Sequence, residues 1–362
     1  MALNKITVII PAYKPDEKLL STLSGLTGIG FDDILVVDDG SGTDFEPIFE
    51  KVKLIKECTL LRHKVNRGKG AALKTAFTYF GDNREDKLGV VTADADGQHL
   101  PEDIKAVSEA MIKKEAVILG VRDFSDPAVP PRSKTGNRIT SVVFRLFFGM
   151  KITDTQTGLR AFPKKYLADI AEAKGDRYEF ETNMLFLINK ADIPMKEVKI
   201  QTVYIEENKS SHFRVVRDSL RIYSLIIKYL FSSCAAAVID ATAFFVLHKW
   251  AVFAFIPVSL EYSANVGARV ISSIVNYFLN SKMVFGDKLS KKTLLRYYIL
   301  AAAVIVASSG FVKLIKVLLG LESSILITLI KILVDTILFF ATFRIQHKWV
   351  FNSKNNKDRS TK

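Results

Sequence analysis

Three oxygen-bearing side chains stand at alternate positions in one short stretch of the sequence. The stretch reads VVTADADGQHL, and Asp94, Asp96 and Gln98 directly follow its apolar, β-branched residues. Such a run predicts a buried strand that ends where the acidic residues begin. Two carboxylates and an amide are hard oxygen ligands, which suit Mg²⁺ or Mn²⁺ that completes its coordination with water and a bound diphosphate. A polar turn without any ligand is the alternative.

Apolar runs that end in polar residues recur through the first half of the chain and predict the elements that position this stretch. Strands are predicted at residues 6–10, 33–37, 59–62 and 90–92, and a helix is predicted at 17–26. The alternation of strands and helices predicts a parallel α/β sheet. Ligands of such sheets bind outside the carboxyl ends of the strands, which is where the acidic stretch lies.

A glycine-rich segment, NRGKGAALKTAF, follows the third predicted strand. Gly68 and Gly70 permit a tight turn, and a helix is predicted to begin at about Ala71. Lys69 and the helix N-terminus would offer positive potential to a phosphate group. A purely structural turn is the alternative, because a glycine-rich turn by itself is a weak signal.

The motifs PAYKPDE, VVDDGS, NRGKGAA and DADGQ occur in order at the predicted strand ends, and over residues 5–230 the chain resembles inverting family 2 glycosyltransferases. The resemblance implies a Rossmann-like GT-A fold that binds a nucleotide diphosphate sugar. It implies a donor-binding set of Pro11, Ala12, Tyr13, Asp38, Asp39, Lys69, Asp94 and Ala95. It also implies a metal site formed by Asp94, Asp96 and Gln98.

The next motifs resemble the polyprenyl-phosphate branch of that family, which includes dolichol-phosphate mannose synthases and bactoprenol glucosyltransferases. These motifs are VILGVR, PPRSKTGNR, DTQTGLRAF and YEFETNMLF. A lipid phosphate has a second pKa of about 6 and can attack the sugar without a general base. The site instead needs cations to gather two anionic substrates. The resulting candidates are Asp96, Arg122, Arg132 and Asp154 for catalysis, and Arg132, Arg138, Ser211 and Arg214 for the acceptor phosphate.

Asp154 has two other interpretations. It could cap the loop that follows it, or it could serve as the carboxylate base that an enzyme acting on a glycan or protein hydroxyl would need. Polymer synthesis is disfavoured, since the Q-x-x-R-W motif of processive synthases has no match here; the nearest string is QHKW, at Gln346.

The positive charge of the chain lies in its C-terminal part. From Asn208 onward there are 21 Lys and Arg against 7 Asp and Glu, whereas the first 207 residues have 30 against 31. Because this charge adjoins long apolar segments, a membrane surface is a more plausible partner than nucleic acid. We predict a catalytic domain at 1–208, a basic amphipathic interface helix at 209–228, a membrane domain at 229–352 and a basic tail at 353–362.

Four apolar segments, at about 230–247, 262–279, 297–319 and 325–343, are long enough to cross a bilayer. The loop before the third segment and the C-terminal tail are rich in Lys and Arg, whereas the stretches at about 253–261 and 320–324 contain none. The positive-inside rule then places both termini in the cytoplasm. The absence of a signal peptide at the start of the sequence gives the same expectation for the catalytic domain.

The second and fourth segments end alike. NYFLNSKMVF at 276–285 aligns without gaps with TFRIQHKWVF at 342–351, which indicates parallel repeats of two helices. This ending resembles the GtrA family of four-helix membrane proteins, which is associated with the handling of lipid-linked sugars. The same offset aligns Arg269 with Asp335, and we predict an ion pair between them, with Asp240 nearby.

The combined hypothesis is a membrane-bound inverting transferase that moves a hexose from a UDP- or GDP-sugar to polyprenyl phosphate at the cytoplasmic face, using Mg²⁺ or Mn²⁺. The all-α membrane domain would anchor the enzyme and could aid translocation of the product. Short helices with polar interiors also suggest a homo-oligomer. A membrane transporter or scaffold that senses nucleotide sugars is the main alternative, and a transferase acting on hydroxyl groups is the other.

Overall fold

The computed structural model describes residues 3–124, 129, 131–201, 224–250, 260–287, 289–320 and 322–351. The chain divides into two units, Met1–Ile222 and Tyr223–Lys362. Residues 209–223 of the predicted interface helix lie outside the described residues, as do Ser211, Arg214, the tail at 353–362 and the side chain of Arg132.

The first unit alternates strands and helices along the chain. Its main elements are β1 (Ile6–Ala12), α1 (Glu17–Gly28), β2 (Ile34–Asp38), α2 (Glu46–Lys53), β3 (Cys58–Arg62), α3 (Lys69–Asn83), β4 (Gly89–Thr92), α4 (Pro101–Lys114), β5 (Val117–Arg122), α5 (Pro131–Val143), β6 (Arg160–Pro163), α6 (Lys164–Ala171), α7 (Glu179–Lys190) and β7 (Met195–Ile200). Each predicted strand is present, with ends within two residues of the prediction.

The seven strands form one sheet in the order β3-β2-β1-β4-β6-β5-β7. Strands β1, β2 and β4 are almost wholly buried, because helices cover both faces and the strands consist of apolar, β-branched residues. Local signals set the helix starts. The Asp16 side chain accepts a hydrogen bond from the Lys18 amide and so caps α1, and Pro101 begins α4.

The prediction of an all-parallel sheet is wrong at one strand. Strand β6 runs antiparallel to both β4 and β5, whereas the other pairs are parallel. The start of β6 therefore lies at the same edge as the carboxyl ends of β4 and β5. This reversal brings the loop at 153–159 beside the acidic stretch that follows β4.

The second unit contains four long helices, α8 (Ser224–Lys249), α9 (Leu260–Leu279), α10 (Lys291–Leu318) and α11 (Ser324–Ile345). Among the described residues, three helical segments are long and apolar enough to cross a membrane: Ser224–Lys249, Lys291–Leu318 and Ile325–Val350. Helix α9 is not one of them, because polar residues interrupt its apolar sequence.

Helices α8 and α9 pack closely through small side chains. Ala264, Ala268 and Ser272 lie one turn apart on α9 and are buried, as are Ser232 and Ala236 on α8. Small residues at this spacing let two backbones approach each other, which is the usual basis of helix association in membranes.

The aligned endings of the repeat adopt the same local structure. A π-helical turn follows α9 at Asn280–Val284, and another follows α11 at Gln346–Val350. Equivalent residues of the two repeats also touch: Asn280 Nδ2 donates to Gln346 Oε1 at 3.3 Å, and the rings of Phe285 and Phe351 stack with centroids 4.9 Å apart. The repeat read from the sequence is thus also a structural repeat.

The predicted ion pair between Arg269 and Asp335 requires correction. Arg269 Nη1 lies 3.6 Å from Asp240 Oδ2 on α8. Asp335 instead pairs with Lys331, one turn away on α11, and accepts a hydrogen bond from Ser308 on α10. Each charge therefore finds its partner within its own repeat, because α8 packs on α9 and α10 packs on α11.

Candidate functional site

The two aspartates at the end of β2 hold the loops that surround the sheet edge. Asp39 is buried, and its carboxylate accepts hydrogen bonds from the amides of Arg67 and Gly68 at 2.9 and 2.7 Å and contacts His63 Nδ1 at 2.7 Å. Asp38 Oδ1 accepts a hydrogen bond from the Ser41 amide at 2.9 Å. These contacts fix the glycine-rich turn against β2, so Asp39 has a positioning role that sequence reasoning missed.

The other predicted donor-binding residues lie along the same edge. Ala12 is buried, so its side chain belongs to the core. Its carbonyl accepts a hydrogen bond from the Asp39 backbone amide at 2.8 Å. Pro11, Tyr13 and Ala95 are partly exposed. The Lys14 ammonium lies 5.5 Å from the centroid of the Tyr13 ring.

The glycines of the turn serve a close approach between two segments. Gly68 has φ +106°, and a Cβ there would meet the carbonyl of Asp176. A Cβ on Gly70 would meet Phe180 and the backbone of Asp176. The Ala71 amide also donates to the Asp176 carbonyl at 2.9 Å. The glycines therefore let α3 begin against the loop before α7, and the phosphate-binding role of the turn stays a prediction.

Lys69 joins two acidic side chains from different elements. Its Nζ lies 2.7 Å from Asp94 Oδ1 and 3.1 Å from Glu181 Oε1. Burial lowers the pKa of Lys69, but the two carboxylates outweigh burial and raise it. The ammonium therefore stays charged beside the acidic stretch. Glu181 was visible in the YEFETNMLF motif, but nothing in its local sequence indicated this contact.

The acidic residues after β4 have different environments. Burial raises the pKa of Asp94, but Lys69 and His99 outweigh burial and hold that pKa at about 2. Burial, followed by the charge of Asp94, raises the pKa of Asp96. The backbone amide of Gln98 donates a hydrogen bond to Asp96 Oδ1 at 3.1 Å and turns the loop back on itself. Asp96 is therefore the less compensated of two neighbouring carboxylates.

The loop before β6 closes over Asp94. A Cβ added to Gly158 would clash with the Asp94 carboxylate, so only glycine fits there without a shift. The Thr92 hydroxyl donates to the Gly158 carbonyl at 2.8 Å and holds this loop on β4. Arg160 is buried, and it donates to the carbonyls of Thr157 and Glu181 at 2.9 and 2.6 Å. Arg160 thereby links this loop to α7.

Arg122, which is partly exposed at the end of β5, pairs with the buried Asp154. Asp154 is fully buried, and its two oxygens accept hydrogen bonds from Arg122 Nε at 2.7 Å and Nη2 at 3.1 Å. The Gln156 amide donates to the same carboxylate at 3.1 Å. Asp154 therefore orients Arg122 and the loop, and this geometry does not leave it exposed as a base.

A cleft brings these residues together at the sheet edge. Its described lining comprises Asp94, Gln98, His99, Arg122, Gln156, Thr157, Gly158, Ile200 and Gln201. His99 was not predicted; its Nδ1 accepts a hydrogen bond from the Asp94 amide at 3.1 Å. Of the predicted acceptor residues, Arg138 is exposed on α5, and the side chains of Arg132, Ser211 and Arg214 lie outside the described residues.

Comparisons with known proteins match both units. Residues 7–171 match the model of glycosyl transferase family 2, and residues 228–351 match the GtrA/DPMS transmembrane domain. A UDP-N-acetylglucosamine–dolichyl-phosphate N-acetylglucosaminyltransferase of Methanococcus voltae is 30% identical over 62% of this chain and 96% of its own length. The chain belongs to glycosyltransferase family 2. The sheet and cleft described above are therefore the GT-A fold of a membrane-bound glycosyltransferase.

Two further relatives cover a similar share of this glycosyltransferase. An uncharacterized protein of Methanocaldococcus jannaschii is 32% identical over 63% of this chain and 93% of its own length. An undecaprenyl-phosphate mannosyltransferase of Micrococcus luteus is 29% identical over 57% of this chain and 86% of its own length. The names of two of these three relatives specify a lipid phosphate.

Proposed function

We propose that this glycosyltransferase moves a sugar from a UDP- or GDP-sugar to the phosphate of a polyprenyl lipid. The state of the proton acceptors in the cleft carries the proposal. Asp154 is enclosed by Arg122 and the Gln156 amide, and Asp94 is paired with Lys69. His99 Nδ1 already accepts a hydrogen bond from the Asp94 backbone amide, so this nitrogen is not free to take a proton from the acceptor. Such a lining suits an acceptor that needs no general base.

The reaction requires one bond to form as another breaks. An oxygen of the lipid phosphate attacks the anomeric carbon from the side opposite the diphosphate. The bond from that carbon to the diphosphate oxygen breaks, and the nucleoside diphosphate leaves with its electron pair, so that the configuration inverts. No proton has to be removed from the acceptor, because the phosphate is already ionised.

The residues on the two sides of the cleft suit the two anionic substrates. Lys69, fixed by Asp94 and Glu181, provides positive charge on the donor side, beside the N-terminus of α3. Arg122, fixed by Asp154, provides it on the acceptor side. Arg132, Arg138, Ser211 and Arg214 complete the proposed acceptor site. A guanidinium binds a phosphate through two parallel hydrogen bonds, which favours Arg at these positions.

The carboxylates of Asp94 and Asp96 and the side-chain amide oxygen of Gln98 would hold Mg²⁺ or Mn²⁺. The donor set fits a hard cation, and the mutual repulsion of Asp94 and Asp96 would be relieved by one. Within the described residues no three His, Cys, Asp or Glu side chains converge, so water and the donor diphosphate would supply the other ligands. When bound, the cation neutralises charge that develops on the leaving diphosphate.

The proposal includes the location of the enzyme. The second unit anchors the enzyme in the membrane, and the basic loop and tail favour a cytoplasmic position for both termini and for the catalytic unit. On that side the enzyme meets nucleotide sugars. Translocation of the lipid-linked product by the second unit is compatible with this topology.

The direct test is transfer of radiolabelled sugar in detergent from a panel of UDP- and GDP-sugars. Undecaprenyl and dolichyl phosphate are the acceptors, the corresponding alcohols are the controls, and each reaction is run with and without Mg²⁺ or Mn²⁺. We expect metal-dependent product with the phosphates alone. Product with the alcohols would indicate a hydroxyl acceptor, and nucleotide binding without any transfer would indicate a sensor.

Substitution of Gly158 tests the metal site without removing a ligand. In Gly158→Ala the new methyl group meets the Asp94 carboxylate and must displace it. We expect the Mn²⁺ concentration for half-maximal transfer to rise about 10-fold or more, as is usual when support around metal ligands is lost. Gly81→Ala is the matched control, because a Cβ there meets no atom within 4 Å. An unchanged Mn²⁺ dependence in Gly158→Ala would contradict the proposed site.

A further inference from the structure

A charged side chain lies on the surface of the second unit, midway along a helix of the transmembrane domain. Arg269 is near the centre of α9, and its side chain is 73% exposed, whereas that of its partner Asp240 is 21% exposed. The closest contact between them is 3.6 Å, longer than a good hydrogen bond. Asp240 is also held by Ser272, whose hydroxyl donates to it at 2.8 Å. The guanidinium, which has five N–H donors, is therefore only partly used.

Among the described residues of the unit, a second exposed cation with an acidic partner gives a useful contrast. Lys331 on α11 lies 2.5 Å from Asp335, one helical turn away. Asp335 accepts a second hydrogen bond, from the Ser308 hydroxyl at 2.5 Å. This cation is closely matched by its own carboxylate, whereas Arg269 is not. A charge within a membrane is costly unless it is paired, so Arg269 calls for a further anion.

Polar groups continue from Arg269 to the end of α9. Ser273 contacts the Tyr298 hydroxyl at 3.1 Å, Asn276 accepts a hydrogen bond from Ser232 at 3.2 Å, and Asn280 donates to Gln346 at 3.3 Å. These residues lie about one turn apart, so they form one stripe along the helix. The stripe leads to the basic segment after α9, which contains Lys282, Lys288, Lys291 and Lys292. Helix α9 thus carries a continuous polar path from Arg269 to its C-terminal end.

We propose that Arg269 is the centre of an intramembrane site that binds the phosphate group of a membrane lipid. The exposed guanidinium can form two parallel hydrogen bonds with a phosphate, and the apolar side chains around it can contact a lipid tail. The choice of polyprenyl phosphate as the lipid rests on the proposed function. The residues of the site belong to the second unit, whereas the cleft beside Asp94 belongs to the first.

Asp240 has a defined part in this site. It keeps Arg269 oriented, but its negative charge opposes a bound phosphate. Removing that charge while keeping the shape of the side chain, in Asp240→Asn, should therefore tighten phosphate binding. If Arg269 and Asp240 only formed an ion pair between α8 and α9, Asp240→Asn would give no such gain. It would then only weaken the packing of the two helices.

The test counts undecaprenyl phosphate bound per chain of full-length protein in detergent by native mass spectrometry, and compares it with undecaprenol and inorganic phosphate. We expect wild-type protein to bind two equivalents, one in each unit, and Arg269→Gln to lose one of them. Arg269→Lys and the control Lys331→Gln should keep both, and Asp240→Asn should bind the second equivalent about tenfold more tightly. Undecaprenol and inorganic phosphate should not compete, since the site needs both the charge and the tail.

Two results would overturn the proposal. One is an unchanged count in Arg269→Gln with no tightening in Asp240→Asn. The other is a loss of oligomers in Arg269→Gln, measured by light scattering, with the lipid count unchanged, which would mean that a second copy covers Arg269. Sugar transfer is assayed on the same samples. If the proposed function were wrong and the cleft bound no lipid, wild-type protein would bind one equivalent of undecaprenyl phosphate and Arg269→Gln would bind none. A failure of the proposed function is therefore distinguishable from a failure of the Arg269 site.

Discussion

Asp96→Asn abolishes sugar transfer and leaves the fold intact: we expect kcat to fall on the order of 10³-fold. Asparagine keeps the shape of the side chain, and its side-chain oxygen can still accept a hydrogen bond from the backbone amide of Gln98. The substitution nevertheless removes a carboxylate from the proposed metal site. Burial and the nearby charge of Asp94 make this carboxylate unfavourable unless a cation joins it. The measurement is single-turnover transfer at saturating donor with increasing Mn²⁺.

Asp169→Asn is the control for this substitution, because Asp169 is an exposed aspartate on α6, away from the cleft lining. Melting temperatures of both variants should remain close to that of the wild type. If Asp96→Asn retained more than about a tenth of the wild-type rate, the metal site would have to lie elsewhere and our assignment would be wrong.

The second large effect is expected for Asp154→Asn, which should lose both stability and activity. The substitution leaves the partly buried Arg122 guanidinium without its counter-charge, and breaking a buried pair costs about 3 kcal/mol at most where one partner is partly exposed. Arg122 would then move, and the loop that the Asp154 carboxylate holds through the Gln156 amide would loosen. Thermal melting and transfer assays on the same protein measure the two losses.

A double variant separates the loss of stability from the loss of activity. In Asp154→Asn combined with Arg122→Met no buried charge is left unpaired, so we expect a substantial part of the stability to return. Activity should stay low, because the cation on the acceptor side is missing. Recovery of transfer in the double variant would show that transfer does not need Arg122. Full activity of Asp154→Asn would show that transfer does not need Asp154 to orient Arg122.

The general fold was predictable because local sequence patterns report it. Apolar β-branched runs that end in polar residues placed four strands, and their ends are accurate to two residues. A run such as ITVII can be buried only in a sheet covered on both faces. The duplicated endings near Asn280 and Gln346 were also visible in the sequence, because the two segments align without gaps. Both endings adopt the same π-helical turn.

Part of the candidate site was predictable for a related reason. Asp94, Asp96 and Gln98 follow a strand directly, so that their place at the sheet edge depends on few residues. Their chemistry also follows from their side-chain types alone, as hard oxygen ligands. The same local argument predicted a helix N-terminus at about Ala71, next to Lys69, and α3 begins at Lys69.

The sequence by itself therefore determined the α/β catalytic unit, the membrane unit with its repeat, and the acidic stretch after β4. Only the tertiary structure decided that β6 is antiparallel, that Gly158 closes on Asp94, that Lys69 joins Asp94 to Glu181, and that Asp154 is enclosed by Arg122. It also paired Arg269 with Asp240 instead of Asp335. The physical reason is that these contacts join residues far apart in the chain, whose approach depends on how whole elements pack and leaves no periodic signal in the local sequence.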